Sequence, residues 1–420
     1  MTEPTRRHFL AGATAFAGIC ATTGATRART EILSPLKWAP RNHRVLSNLI
    51  AAQPTPGNRN SVRPYAVFDW DNTCIFGDCQ ETLLHYTLET FSFALSPDRF
   101  FDAVRRDVPQ GPLGPDFLNA EGQALRFCDL AADMTRDYAA LWSRYGAWSP
   151  ERTAVPRDTP ALEALRTRLL YSYNAVNTVA GPRVALYWII RLLAGMTNAE
   201  ITKLAASANR WALGRDIGQV THLTPPDRAG QSGPLRYTAQ HGLRLTPEIS
   251  DLQHTLREAG IEVFICSASL EAVVRAFATD PDFGYNLPAD NILGIRMEED
   301  SGKLGTRPLA DWPLTYANGK VDAIRMRLTH ERGHGPLLVC GDSNGDVAMQ
   351  TTFPDTRLSL IINRLSGGGE GALSRKAVQN IDAVSPRILL QGRDENTGEW
   401  RPSEETVPFG TTTARLLGSG

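Results

Sequence analysis

Tyr65-Ala66-Val67-Phe68-Asp69-Trp70-Asp71-Asn72-Thr73 is the stretch on which the fold reading turns, because an apolar run stops abruptly in two aspartates and turn residues. A short apolar run bounded by turn signals predicts a buried strand, here residues 65–69. A second run, Pro336-Leu337-Leu338-Val339-Cys340, ends the same way in Gly341-Asp342-Ser343-Asn344-Gly345-Asp346, with a helix predicted from Asn344. Open α/β sheets bind ligands beyond the carboxyl ends of their strands. Two acidic strand ends distant in sequence are therefore expected to meet around one cation.

Outward from the second run, strand and helix patterns alternate. Helices are predicted over 249–259, 270–278 and 318–329, strands over 262–266, 337–340 and 357–361, and a hairpin-like region over 292–304. Such alternation implies βαβ units and a parallel sheet. Between the first strand and these units, apolar residues recur at three-to-four spacing, as in Leu162-Leu165-Leu169-Leu170 and Leu186-Ile189-Ile190-Leu193. That period predicts a mostly helical section, punctuated by Pro/Gly clusters at 111–115 and 224–233. The fold class expected is α/β, a Rossmann-like core with a large helical insertion after its first strand. The divisions are 65–79 with 246–420 for the core, 80–245 for the insertion and 29–64 for an N-terminal arm lying on the domain.

The chain has 420 residues, 42% hydrophobic and 21% charged, with a net charge of −1. This composition supports a sizeable core, and the absence of a basic excess argues against a nucleic-acid partner. Residues 1–28 carry Arg6-Arg7-His8-Phe9-Leu10 before a mild Ala/Gly/Thr-rich apolar stretch. This pattern predicts a twin-arginine export signal and a periplasmic or secreted protein. No stable membrane insertion is expected after signal removal, since Val184–Met196 is short and interrupted by Arg191. Cys74, Cys79 and Cys128 are the disulfide candidates, whereas Cys266 and Cys340 end apolar strand patterns, where buried thiols behave as small hydrophobes.

Alternation along an extended backbone lets Asp69 and Asp71 share a face while Trp70 points away. The competing reading is a surface turn. Asp342 and Asp346, four apart, would lie on one side of a helix beginning near Ser343, with helix capping as the competing role. Ser267 closes a strand and Lys320 opens a helix, and a hydroxyl and an ammonium at a sheet rim are suited to phosphate oxygens. Each of these residues singly is more often a cap or a solvated charge.

Taken together and in order, Asp-x-Asp-x-Thr, a strand-end Ser, a Lys and Gly-Asp-x-x-x-Asp resemble the four motifs of the haloacid-dehalogenase-like (HAD) hydrolase superfamily. The resemblance covers residues 65–77 and 247–363. It implies Asp69 as a nucleophile forming an aspartyl-phosphate, and Asp71 as the acid and later the base. It further implies Mg²⁺ held by Asp69, the backbone carbonyl of Asp71, and Asp342 with support from Asp346. Ser267 and Lys320 are implied as phosphate-binding residues, with Thr73 from the first motif; Lys303 is the rival lysine. Asp71 separates phosphatases from the dehalogenases, so the implied reaction is hydrolysis of a small-molecule phosphate ester. The insertion resembles the superfamily's first cap type, a lid over the active site, and the motif style and exported character resemble the phosphoserine-phosphatase-like branch. Asp-x-Asp-Asn-Thr, Ser267-Ala268-Ser269 and Gly319-Lys320-Val321 add a narrower similarity to bacterial phosphorylcholine phosphatases. A choline head group requires an acid and aromatic faces, for which Glu81 and Trp142, Tyr145, Trp148, Tyr187, Trp188 and Trp211 are candidates. The alternative from another class is an exported binding protein that keeps the fold without turnover.

Other motif readings fail on particular residues. Gly341-Asp342-Ser343-Asn344-Gly345 fits a nucleophile elbow, but that fold places its His after the Ser, and the last histidine is His334. A calcium loop would need Gly where Val347 stands and Glu where Phe353 stands.

Overall fold

The computed structural model describes residues 32–53, 63–152 and 159–417. The expected export signal, with Arg6, Arg7 and Cys20, lies outside the described residues. Six strands form one parallel sheet: β1 (Tyr65–Phe68), β2 (Glu262–Leu270), β3 (Ile292–Ile295), β4 (Leu338–Gly341), β5 (Leu358–Ile362) and β6 (Ile388–Gln391). Their order is β6-β5-β4-β1-β2-β3, so the chain direction across the sheet reverses between β1 and β4. All residues of β1, β4 and β5 are buried, the unbroken apolar pattern of parallel strands covered on both faces. Phe68 pairs with Cys340 on one side and Ile265 on the other. This register sets Asp69, Asp342 and the end of β2 side by side at the carboxyl edge.

The helices are α1 (Pro40–Ala51), α2 (Cys79–Thr90), α3 (Pro97–Arg105), α4 (Phe127–Tyr145), α5 (Pro160–Val179), α6 (Pro182–Arg191) and α7 (Asn198–Leu213). They continue with α8 (Pro247–Glu258), α9 (Glu271–Ala278), α10 (Asn318–Ile324), α11 (Val347–Thr352) and α12 (Gly368–Gln379). Six of these, α2 to α7, lie between β1 and β2. Proline at the first turn opens α3, α5 and α6, where its missing N–H costs nothing, and a Thr197/Glu200 capping box opens α7. Ile75–Phe76 pairs antiparallel with Arg244–Leu245, which brings the two ends of the inserted section together.

Several expectations need correction. The inserted section includes an antiparallel hairpin, Gly218–Leu223 with Arg236–His241. Its inward residues alternate (His222 and Ala239 are buried), and the Pro/Gly cluster of 224–233 lies in its connecting loop. Ile292–Ile295 is the edge strand of the sheet, and the hairpin next to it runs Met297–Asp300 and Lys303–Pro308. The second acidic run enters a helix only at Val347. Past residue 361 the chain adds α12 and β6. Gly367-Gly368-Gly369 reads as a loop, yet α12 starts at Gly368, where φ is 66° and a Cβ would meet Asn344 Oδ1 at 2.7 Å. Cys74, Cys79 and Cys128 are all free thiols; Cys74 instead donates its thiol to the Asp69 carbonyl at 3.1 Å, within the turn that follows β1.

The arm is seated through specific contacts. Trp38 meets the Trp400 ring edge-on at 4.9 Å, and Asn42 donates to the Leu390 carbonyl of β6 at 2.8 Å. Large-to-small changes in such sites lose both transfer energy and packing. Trp38→Ala is expected to lower unfolding free energy by about 3–5 kcal/mol, read as a lower midpoint in chemical denaturation.

Candidate active site

The turn after β1 presents both aspartates of the first motif to one cleft of ≈ 330 Å³ at the carboxyl edge of the sheet. Trp70 points away and is fully buried, with its ring 5.0 Å from that of Tyr285. Asn72 sits at φ 61°, a left-handed conformation that Asn tolerates, and its side-chain oxygen accepts the N–H of Gly77 at 3.2 Å. The Asp71 carboxylate accepts the Cys79 N–H at 2.7 Å and the Ser269 hydroxyl at 2.6 Å. Burial raises its pKa against the opposing effect of the Ser269 hydrogen bond.

Lys320, on α10, is buried, and its ammonium donates to Asp69 Oδ1 at 2.5 Å and Asp346 Oδ1 at 2.6 Å. Burial by itself would lower the lysine's pKa, but Asp346 and Asp69 raise it, so the ammonium stays charged. Asp69 is pushed well above the usual carboxylate range by burial and by repulsion from Asp346, which Lys320 only partly offsets. Asp342 and Asp346 converge by loop closure and not by helical spacing. The second oxygen of Asp346 collects the N–H groups of Asp342 and Ser343 at 3.0 and 3.1 Å. Thr73 donates to Asp342 Oδ1 at 2.9 Å and, less closely, to Asp69 Oδ2 at 3.3 Å.

Ser267 is fully buried beneath the cleft. Its hydroxyl accepts the Ser269 N–H at 3.1 Å and donates to Asp71 Oδ2 at 3.4 Å, while Ser269 lines the cleft. Lys303 is exposed on its hairpin. Glu81, in the first turn of α2, lies in an adjoining chamber that shares Asn72, Asp78 and Arg364 with the cleft. Solvent reaches this carboxyl, yet surrounding protein and the charge of Asp71 raise its pKa. Of the six aromatics singled out in the inserted section, Trp211 lines that chamber. Trp188 is core, with its indole N–H on the Val104 carbonyl at 2.7 Å. Tyr173, Tyr316 and Arg364 line the cleft although no motif marked them. Arg364 donates to Asp342 Oδ2 at 2.7 Å. Its signal in the sequence was no more than a position two residues past a strand.

Asp69, Asp342 and Asp346 each offer an oxygen, all within 4.8 Å of one another and all buried. An all-oxygen donor set of this kind suits a hard divalent cation. The charge balance fits as well, since with Asp71 and Asp78 five carboxylates face the two cationic side chains Lys320 and Arg364. A divalent cation would relieve the repulsion that raises the Asp69 pKa. Chemically the cleft combines a carboxylate fixed by an ammonium, a second carboxyl held toward its neutral form, and a cation site.

Comparisons with known proteins agree with this geometry. The sequence profile of the haloacid dehalogenase-like hydrolase family matches residues 130–350, a span that takes in Ser267, Lys320, Asp342 and Asp346 and leaves out Asp69. Phosphorylcholine phosphatase of Pseudomonas aeruginosa is 33% identical over 116 residues, which span 22% of this chain and 33% of that protein. A functionally unknown protein from Anaerococcus prevotii has a crystal structure that superposes with a TM-score of 0.81 at 30% identity, covering 90% of this chain and 99% of that one.

Glu370, in the first turn of α12, lies close enough to Asp346 and Asp342 to feel their charge. Burial, with those two carboxylates, raises its pKa to about 9. A carboxyl with a raised folded-state pKa binds its proton more tightly in the native state, so its contribution to stability is full below the unfolded pKa of about 4.3 and is lost as pH rises toward 9. Glu370→Gln, which mimics the neutral acid, is expected to raise Tm at pH 8 and leave it nearly unchanged at pH 4, measured by thermal unfolding in chelator.

Proposed function

This chain belongs to the haloacid dehalogenase-like hydrolase family, and from that premise we propose that it is a Mg²⁺-dependent phosphomonoesterase. The observation that carries the reading is the pairing of Asp69, clamped by Lys320, with an Asp71 that opens into the same cleft. Asp69 attacks phosphorus, forming an acyl-phosphate bond as the bond to the leaving alcohol breaks. Asp71, whose pKa is raised by burial, gives its proton to that alcohol oxygen. Water then attacks the aspartyl-phosphate and surrenders a proton to Asp71, releasing phosphate and restoring both carboxyls. Asp69, Asp342 and Asp346 would hold Mg²⁺, which when bound neutralises phosphate charge. Lys320 keeps the nucleophile in place, and Thr73 bridges it to Asp342.

Residues 80–245 are assigned the role of a cap that selects the alcohol. Phosphorylcholine or a similar phospho-alcohol is the proposed substrate. Support comes from the name of the Pseudomonas relative and from the carboxyl of Glu81 beside Trp211 in the adjoining chamber, an acid and an aromatic face that suit a cationic head group. Export by the twin-arginine route is proposed on Arg6-Arg7-His8-Phe9-Leu10. Among the described residues, no helix is long and apolar enough to cross a membrane.

A panel of phosphorylcholine, phosphoserine and an aryl phosphate, turned over with Mg²⁺ and with chelator, tests the reaction. Hydrolysis that chelator abolishes is expected, and Asp69→Asn should remove it because an amide cannot form the acyl-phosphate. Failure on every ester would defeat the enzyme reading. Glu81→Gln is expected to change kcat/KM for phosphorylcholine more than for the aryl phosphate; equal loss on both would make Glu81 a structural residue.

A further inference from the structure

Among the described residues, Arg364 is the one cation lining the cleft that no sequence motif explains. It follows β5 in a turn whose shape is imposed from several sides. Asn363 is buried, its side-chain oxygen accepts the Leu365 N–H at 3.0 Å, and its carbonyl accepts the Thr406 hydroxyl at 2.5 Å. Leu365 takes φ 58°, a conformation L-residues avoid unless the surroundings enforce it. The turn therefore presents the arginine to the cleft in a fixed direction.

The guanidinium of Arg364 makes one hydrogen bond among the described residues, from Nη1 to Asp342 Oδ2 at 2.7 Å. With 36% of the side chain exposed to the cleft, the other donors are free. Arg364 also stands on the boundary between the cleft and the chamber that holds Glu81. Lys320, by comparison, is already engaged by Asp69 and Asp346. A planar fork with unused N–H groups matches phosphate oxygens in a way a point charge does not.

We propose that Arg364 is a phosphate-clamping residue: Nη1 stays on Asp342 while its free donors grip nonbridging oxygens of the phosphate ester, on the Asp342 side of the cleft as Lys320 serves the Asp69 side. The ligand class is a phosphate monoester dianion or orthophosphate, and the assignment rests on the phosphatase reading. Held between Asp342 and substrate, the same guanidinium also orients the ester so that its alcohol lies toward the Glu81 chamber.

The test compares wild type, Arg364→Gln and Arg364→Lys by calorimetric titration of the Mg²⁺-loaded proteins with orthophosphate, separate titration of the metal-free proteins with Mg²⁺, and KM against kcat on an aryl phosphate. Charge-assisted hydrogen bonds of this kind correspond to roughly a ten- to hundred-fold weakening of orthophosphate binding and a matching rise in KM when lost. The weakening is expected in both variants, smaller for Lys, with Mg²⁺ affinity retained. Unchanged phosphate affinity together with weakened Mg²⁺ binding would overturn the clamp and leave Arg364 as support for Asp342. The Lys variant keeps the charge against Asp342, so it decides the matter if the Gln variant does not fold. Wild type that fails to bind orthophosphate also overturns the clamp. Wild type that binds orthophosphate through Arg364 but hydrolyses no ester defeats the phosphatase reading alone.

Discussion

A single buried ammonium ties the site together. Lys320 reaches from α10 to Asp69, past the end of β1, and to Asp346, in the loop after β4, joining three segments that are far apart in the chain. Breaking one partner of such a buried pair strands the other charge and costs about 3–5 kcal/mol. The same contact leaves Asp346 free to use its other oxygen on the backbone N–H groups of the acidic loop, which gives that loop its shape.

The sheet makes this contact possible. Parallel pairing of β1 with β4 at the point where strand order reverses puts two acidic strand ends side by side. The inserted helices return to the core through the short ribbon at Ile75–Phe76 and Arg244–Leu245. Tyr173 thereby comes from the insertion to the opening that the strand ends line, and Glu81 and Trp211 to the chamber beside it.

Negative charge exceeds positive charge in this cleft, and several properties follow from that imbalance. Asp69 and Asp71 are raised chiefly by burial, Glu370 by burial and its acidic neighbours, and Arg364 is held charged by Asp342 against the cost of burial. An arrangement of this sort is costly in the absence of a compensating cation, in keeping with the metal-dependent reaction proposed above.

Much of this was legible from residues alone. The buried-strand patterns ending at Asp69 and near Asp342, the helical spacing of the inserted section and the choice of Lys320 over Lys303 all rest on local pattern and order, which depend on nearest neighbours in the chain. The hairpin at 218–241 and the elements past residue 361 were not legible, because His- and Thr-rich strands and a helix opened by glycines have weak local signals and are stabilised by what they pack against. Asp342 and Asp346 were paired for the wrong reason, helical spacing in place of a closed loop. Sequence by itself determined which side chains could do acid, nucleophile and cation-binding chemistry, because their identities and strand-end positions are local facts. Only tertiary structure decided that Ser269 joins Ser267 on the Asp71 carboxylate, that Glu81 sits in a separate chamber and that Arg364 reaches Asp342, because those outcomes depend on the direction of side chains set by contacts across the sheet.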